Sequence, residues 1–254
     1  FKPTAGGATL EETATLLCNA GKPDFSMPDG GMSSKDRDAR RAAFAFLAAR
    51  AATDEPIHGR AANVLGRDAA ALMAGLAQVF AGRSGGPAPI HARLAAHWRL
   101  GGKAADALRI ALVVLADHEL NASTFAARVA ASTGASLSAC ALAGLSALSG
   151  PLHGGAAGSL DALLQDAART SAERAVRQWL DLGRPIPGFG HVLYPLGDPR
   201  AAVLLDRVPL TAPFVAIRGA AERLIGEPPN IDFALAAFVA RQRLPVDAPF
   251  VVFA

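Results

Sequence analysis

Leu72-Met73-Ala74-Gly75-Leu76-Ala77-Gln78-Val79-Phe80 carries its large apolar side chains at positions 72, 73, 76, 79 and 80. Steps of three and four put such side chains on one stripe of an α-helix, whereas a half-buried strand alternates at two. The same spacing recurs on both sides. It predicts helices at about 34–52, 67–81, 104–118, 122–133, 136–149, 159–169, 171–182, 200–206, 213–225 and 231–242. Thr9-Leu10-Glu11-Glu12 reads as a capping box opening an earlier helix that ends near Gly21-Lys22-Pro23. Ile90, Leu94 and Trp98 mark a short helix, and Asp247 caps a last one cut short by the chain's end. Residues 24–33 and 82–88 read as turn and linker, and Pro185 to Pro199 as a long irregular loop with four prolines and three glycines. No run alternates convincingly, so the fold class is all-α, in keeping with the Ala-rich helices.

Composition sets the outer limits. The 254 residues are 51% hydrophobic and 19% charged, enough for one large domain or two unequal ones and too apolar for disorder. Scattered Gly and Pro exclude a collagen-like repeat. Two cysteines, Cys18 and Cys140, cannot frame a disulfide scaffold or a thiolate zinc site, which points to a reducing, cytoplasmic setting. The net charge of +3 comes from dispersed arginines, so no nucleic-acid partner is expected. No signal peptide is visible, and the apolar stop at Phe250-Val251-Val252-Phe253-Ala254, like the Phe1 start, does not read as a native terminus. Val129 to Leu160 lacks charge but is diluted by Ser, Thr and Gly and broken at Gly150-Pro151, so it reads as helices buried in protein rather than a membrane span. Its small residues, Ser138, Ala139, Ala143, Gly144 and Ala147, allow close backbone approach, as in a core helix or a subunit interface.

Three histidines sit in unusual settings. The apolar run Ala107 to Ala116 leads into Asp117-His118-Glu119. Successive helix residues point about 100° apart, so either one of these three enters a polar pocket or His118 answers the dipole at a helix C-terminus. His153 lies in Gly150-Pro151-Leu152-His153-Gly154-Gly155, where glycines let backbone or ligand come close. A neutral imidazole donating a hydrogen bond is one reading, and a loop histidine bonded to backbone is the other. His191 ends Pro187-Gly188-Phe189-Gly190-His191, a segment able to cradle a flat ligand but lacking the third glycine and preceding strand of a dinucleotide site.

Asp198-Pro199-Arg200 starts a helix with Asp as cap and Pro in the first turn, placing Arg200 to clamp a carboxylate or to stand in solvent. Pro228-Pro229-Asn230-Ile231-Asp232-Phe233 puts Asp232 in a helix's first turn. There it either satisfies the dipole or, with its pKa raised by apolar neighbours, serves as a general base. Other chemistries fail: His118-Glu119 has Ala122 where a zinc protease needs its second His, and no Gly-rich loop ends in Lys-Ser/Thr.

Taken together and in order, the blocks 115–125, 150–156, 187–191, 198–201 and 229–233 resemble the citrate synthase family, over about 120 residues and more weakly around 11–17. The resemblance implies an all-α homodimer with a large domain, 1–153 and 237–254, and a small domain, 154–236, closing over the site. It implies condensation of acetyl-CoA, or propionyl-CoA in the methylcitrate branch, with oxaloacetate, followed by thioester hydrolysis. Asp232 would take the methyl proton, neutral His153 would hydrogen-bond the thioester oxygen, and His191 would polarise the oxaloacetate carbonyl and protonate the alkoxide. His118 and Arg200 would hold oxaloacetate, and Pro187-Gly188-Phe189-Gly190 would face CoA. Acyl-CoA is a co-substrate here, with no permanently bound cofactor, no metal and no membrane partner implied.

The chain departs from the family's pattern at three places. Pro195 stands where a basic residue usually helps with CoA phosphates, and Val192 where many bacterial members have Arg. The family's C-terminal arginines would lie beyond Ala254. These departures keep open a second reading, a relative that binds a keto acid or acyl-CoA for regulation with little or no turnover.

Overall fold

A computed structural model describes residues 7–18, 25, 38–82, 88–117, 119–150, 153 and 156–254. The described residues form thirteen helices: α1 (Leu10–Cys18), α2 (Ala39–Ala51), α3 (Ala62–Ala81), α4 (Ile90–His97), α5 (Gly102–Val114), α6 (Ala122–Ser132), α7 (Leu137–Leu148), α8 (Ala156–Arg169), α9 (Ala172–Asp181), α10 (Pro199–Leu205), α11 (Ala212–Ile225), α12 (Ile231–Gln242) and α13 (Ala248–Phe253). Among them the only β pairing is an isolated antiparallel bridge between Phe189 and Pro229. The fold class is all-α. The chain forms two compact units, residues 1–150 with 250–254, and residues 151–249. Ala236, the end of the small domain expected from the resemblance, lies within α12.

The first unit is organised by caps and small residues. Thr9 and Glu12 exchange backbone-to-side-chain hydrogen bonds of 2.8 and 3.2 Å, the reciprocal capping box, and Glu11 accepts the Ile90 N–H at 2.6 Å to start α4. Ala43 and Leu47 of α2 meet Leu72 of α3 and Leu145 and Leu148 of α7, with Phe250 and Phe253 closing the cluster. α3 is long and apolar enough to cross a membrane by composition, but half of its apolar window is buried inside this fold. α6 and α7 approach closely because Gly144 has no side chain: a Cβ there would lie 3.3 Å from the Ser123 carbonyl oxygen.

Several helix boundaries differ from expectation, among them the start of α2 at Ala39, after the extended cap Asp38, rather than about 34. α3 begins at Ala62 rather than about 67. Asn63, Val64 and Gly66 are weak helix formers, but Gly66 is buried, and packing overrides propensity. α5 stops at Val114 rather than about 118, because Asp117 turns its carboxylate onto the Glu119 N–H at 3.0 Å and Glu119 takes a left-handed φ of 55°. Asp117 and Glu119 therefore sit in an exposed turn rather than on a buried helix. The residue between them, His118, lies outside the described residues, as do 1–6, 19–24, 26–37 and 83–87.

The second unit has its own core. Leu160 and Leu163 of α8, Ala175 and Val176 of α9, Phe214 and Ile217 of α11 and Phe233 of α12 are all buried, and Phe189 from the long loop joins them. The Phe233 ring lies 5.2 Å from Phe189 and 5.3 Å from Phe214 in tilted and edge-on contacts. This packing fixes the start of α12 against the loop 185–198.

Candidate active site

The loop 185–198 is laced to the entry of α12. Gly190 N–H donates to the Pro228 carbonyl at 3.0 Å and Asn230 N–H to the Gly188 carbonyl at 2.9 Å. The Asn230 side chain does two tasks. Its Nδ2 donates to the Gly190 carbonyl at 2.9 Å, while its Oδ1 caps α12 by accepting the N–H groups of Asp232 and Phe233 at 3.0 and 3.4 Å. Gly188 has φ +84°, and a Cβ there would lie 3.0 Å from Phe233 Cβ and 3.4 Å from Phe233 Cα. Gly190 has φ +66°, and a Cβ there would land on the flexible Glu227 carboxylate. Gly188→Ala should therefore cost about 2–4 kcal/mol in urea unfolding and Gly190→Ala only about 1–2 kcal/mol, because the Phe233 Cβ, fixed to the start of α12, cannot swing aside as the end of the Glu227 side chain can. Equal losses would contradict this packing.

Asp198 is the hub. Its side chain is fully buried, and it accepts four hydrogen bonds. Oδ1 takes the Arg200 backbone N–H at 3.0 Å and Arg200 Nε at 2.9 Å; Oδ2 takes Arg200 Nη2 at 2.9 Å and the Ile231 N–H at 3.0 Å. One carboxylate thus caps α10, holds a guanidinium two-pronged and satisfies an orphan donor of α12. Burial alone would push this carboxyl up; the hydrogen bonds and charge of Arg200, with the two backbone donors, outweigh it and hold the group below the usual carboxylate range.

Arg200 carries this network to His191. Its Nη2 lies 3.1 Å from His191 Nε2, and its guanidinium sits over the Tyr194 ring at 5.1 Å. The Tyr194 and His191 rings are 4.9 Å apart. His191 Nδ1 faces the Leu193 N–H at 3.2 Å. Both ring nitrogens therefore face N–H donors. An imidazolium would set N–H against N–H at both nitrogens and the neutral ring at only one, so the contacts favour the neutral form. Burial first, and then the Arg200 charge, lower its pKa, partly opposed by Asp198.

Asp232 follows Asn230 in the first turn of α12. It keeps part of its surface open, but its carboxyl is crowded enough that loss of solvent dominates. Burial pushes its pKa up to about 6, Arg200 pulls it down and the Asp198 charge raises it further. His153 is half-buried, and burial alone lowers its pKa.

Of the residues singled out in the sequence, His191 and Arg200 touch, and Asp232 feels the charges of Arg200 and Asp198. Residues 151, 152, 154 and 155 around His153 lie outside the described residues, as does His118. In Pro187-Gly188-Phe189-Gly190 the Phe189 ring is buried in the core, so this segment presents backbone rather than an aromatic face. Sequence reasoning saw Asp198 only as a cap and passed over Asn230, Tyr194 and Glu227. The signal for Asp198 was there: an Arg two residues after a capping Asp can return to it. Among the described residues no three His, Cys, Asp or Glu side chains form a group able to hold a metal.

The family model for the citrate synthase C-terminal domain matches residues 32–254. A citrate synthase of Haloferax volcanii is 35% identical over 162 residues, 59% of this chain and 43% of that protein. A 2-methylcitrate synthase of Shewanella oneidensis is 41% identical over 113 residues, 42% of this chain and 30% of that protein. The chain's matches thus span less than half the length of these curated relatives. The structure of a Thermoplasma acidophilum citrate synthase, in ternary complex with carboxymethyl coenzyme A and oxaloacetate, superposes with a TM-score of 0.74 at 21% identity, covering 98% of this chain and 79% of that one. That likeness shows the same fold. With a family model spanning nearly the whole sequence, the chain belongs to the citrate synthase family.

Proposed function

We propose that this chain condenses acetyl-CoA or propionyl-CoA with oxaloacetate, giving citrate or 2-methylcitrate and free CoA. The observation that carries the reading is the cluster in which a raised aspartate, Asp232, stands in the field of an arginine already committed to a buried carboxylate and a neutral histidine. The names of the relatives support both acyl donors, and the ligands of the archaeal complex support both substrates.

In this reading the Asp232 carboxylate takes a proton from the carbon next to the thioester, and His153 donates a hydrogen bond to the thioester oxygen as negative charge gathers there. The enol carbon then forms a bond to the keto carbon of oxaloacetate. His191 supplies the proton for the resulting alkoxide. With Nδ1 accepting the Leu193 N–H, the proton would be carried on Nε2, which has to turn away from the Arg200 donor to reach the alkoxide. Arg200 turns its remaining donors onto a substrate carboxylate while Asp198 keeps its position. Gly188, Phe189 and Gly190 lie along the carrier's adenine, and water then cleaves the thioester of the condensed product to CoA thiol and acid. Asp198 is a positioning residue in this scheme.

The test is release of CoA thiol from acetyl-CoA and from propionyl-CoA, each with oxaloacetate. Release that requires oxaloacetate supports condensation, and the faster donor names the substrate. Oxaloacetate binding with no thiol from either donor would instead favour the regulatory reading.

We further propose that the active form is a homodimer joined through α6 and α7. α6 buries none of its side chains within the first unit; Phe125 and Val129, one turn apart, are 57% and 50% exposed. Sedimentation should give twice the chain mass, and Val129→Glu should raise the dissociation constant at least tenfold, since a charge in an apolar interface costs more than about 1.4 kcal/mol. An unchanged constant would contradict this interface.

A further inference from the structure

Tyr194 is the chain's single tyrosine and takes no part in the condensation steps. Its place is set by two turns in succession. The Tyr194 N–H donates to the His191 carbonyl at 3.0 Å, and the Gly197 N–H donates to the Tyr194 carbonyl at 2.9 Å. The first turn folds the chain back after His191 and leaves Val192 and Leu193 at its exposed corner. It lays the half-buried Tyr194 ring against the imidazole, with centroids 4.9 Å apart. The second turn, with Gly197 at φ +120°, leads into the Asp198 cap of α10. There Arg200 returns to the same ring, its guanidinium carbon 5.1 Å from the centroid.

The hold that Asp198 has on the Arg200 side chain falls on one edge of the guanidinium, Nε and Nη2. A planar group gripped along one edge can still rock about that edge, and here Nη2 is shared with His191 Nε2 at 3.1 Å. An aromatic face over the guanidinium removes that freedom, because its quadrupole attracts the cation and its width keeps water away. The same ring covers one side of the imidazole. Burial is the largest cause of the lowered His191 pKa, followed by the Arg200 charge, with Asp198 opposing. Both contacts belong to the ring, and neither uses the hydroxyl. We infer that Tyr194 is a positioning residue, whose ring holds the Arg200 guanidinium in place for a substrate carboxylate and shields the His191 imidazole from water. Its role in turnover rests on the condensation reading, whereas the clamp rests on contacts within residues 191–200.

The experiment compares Tyr194→Leu, which keeps apolar bulk without an aromatic face, with Tyr194→Phe, which keeps the face and drops the hydroxyl. Thiol release from acetyl-CoA is measured with oxaloacetate varied. Tyr194→Leu should raise KM for oxaloacetate about fivefold to tenfold and lower kcat by no more than about threefold. Tyr194→Phe should restore KM to within about twofold of the unsubstituted protein. Followed by NMR, the His191 titration should move up toward its ordinary range in Tyr194→Leu and stay in place in Tyr194→Phe. An unchanged KM and an unchanged titration in Tyr194→Leu would overturn the inference. So would a Tyr194→Phe protein as impaired as Tyr194→Leu, since the ring would then not be the agent. No thiol release from the unsubstituted protein would overturn the condensation reading, and the His191 titration would then decide the clamp by itself.

Discussion

Asp232→Asn should lower thiol release by about a thousandfold, the scale on which a positioned general base acts, while leaving oxaloacetate binding within a factor of about two. Binding survives because Arg200 is held by Asp198, not by Asp232. The same substitution should make the protein more stable at neutral pH. The Asp232 carboxyl is raised to about 6 in the folded chain, against 3.8 as its ordinary value. Between those values the folded state holds more protons than the unfolded one, so stability falls as pH rises through this window. The full cost of ionising Asp232 in place is on the order of 2–3 kcal/mol above pH 6, and a neutral amide avoids it. Urea unfolding should therefore show the variant ahead at about pH 7.5 and the two proteins nearly equal at about pH 4. A variant that loses stability at the higher pH would mean that the carboxylate is satisfied rather than poised to react.

Asp198→Ala should produce the opposite pattern, a large loss of stability with a loss of activity following from it. The substitution strips four hydrogen bonds from Arg200 and Ile231 and leaves a guanidinium that is 11% exposed without its partner. Breaking a buried pair from one side costs about 3–5 kcal/mol, and the lost cap of α10 adds about 1 kcal/mol. Asp198→Asn keeps an acceptor and should recover part of this. Where it folds, it should raise KM for oxaloacetate more than it lowers kcat, because Arg200 is misplaced while Asp232 and His191 remain. The measurements are denaturant midpoints and steady-state kinetics with oxaloacetate varied. An Asp198→Ala protein as stable as its parent would contradict the hub.

The all-α class and most helices were legible because a helical period survives in apolar faces such as Leu72, Leu76 and Phe80 of α3. Caps were legible for the same local reason: Thr9 with Glu12 and Asp198 before Pro199 both act within a few residues. The end of α5 was not, because the Asp117 side chain competes with a ladder that apolar periodicity alone would continue. The site divides along the same line. His191 and Asp232 stood out by their neighbours, but Asp198 reaches Ile231 across 33 positions and Asn230 reaches Gly190 across 40. Such closures depend on the path of the loop and leave no local pattern. Phe189 shows the limit most plainly: between two glycines it reads as part of an exposed cradle, yet its ring is taken up by Phe233 and the core.

The central claim is that an aspartate with a raised pKa removes the proton that begins a carbon–carbon condensation. The pH profile of kcat/KM for CoA thiol release, from acetyl-CoA with saturating oxaloacetate, addresses it directly. The profile should climb through an acid limb near pH 6, where Asp232 ionises, and Asp232→Asn should show about a thousandth of the activity at every pH. A profile flat from about pH 4.5 to pH 7, or a variant retaining about a tenth of the rate, would contradict the account.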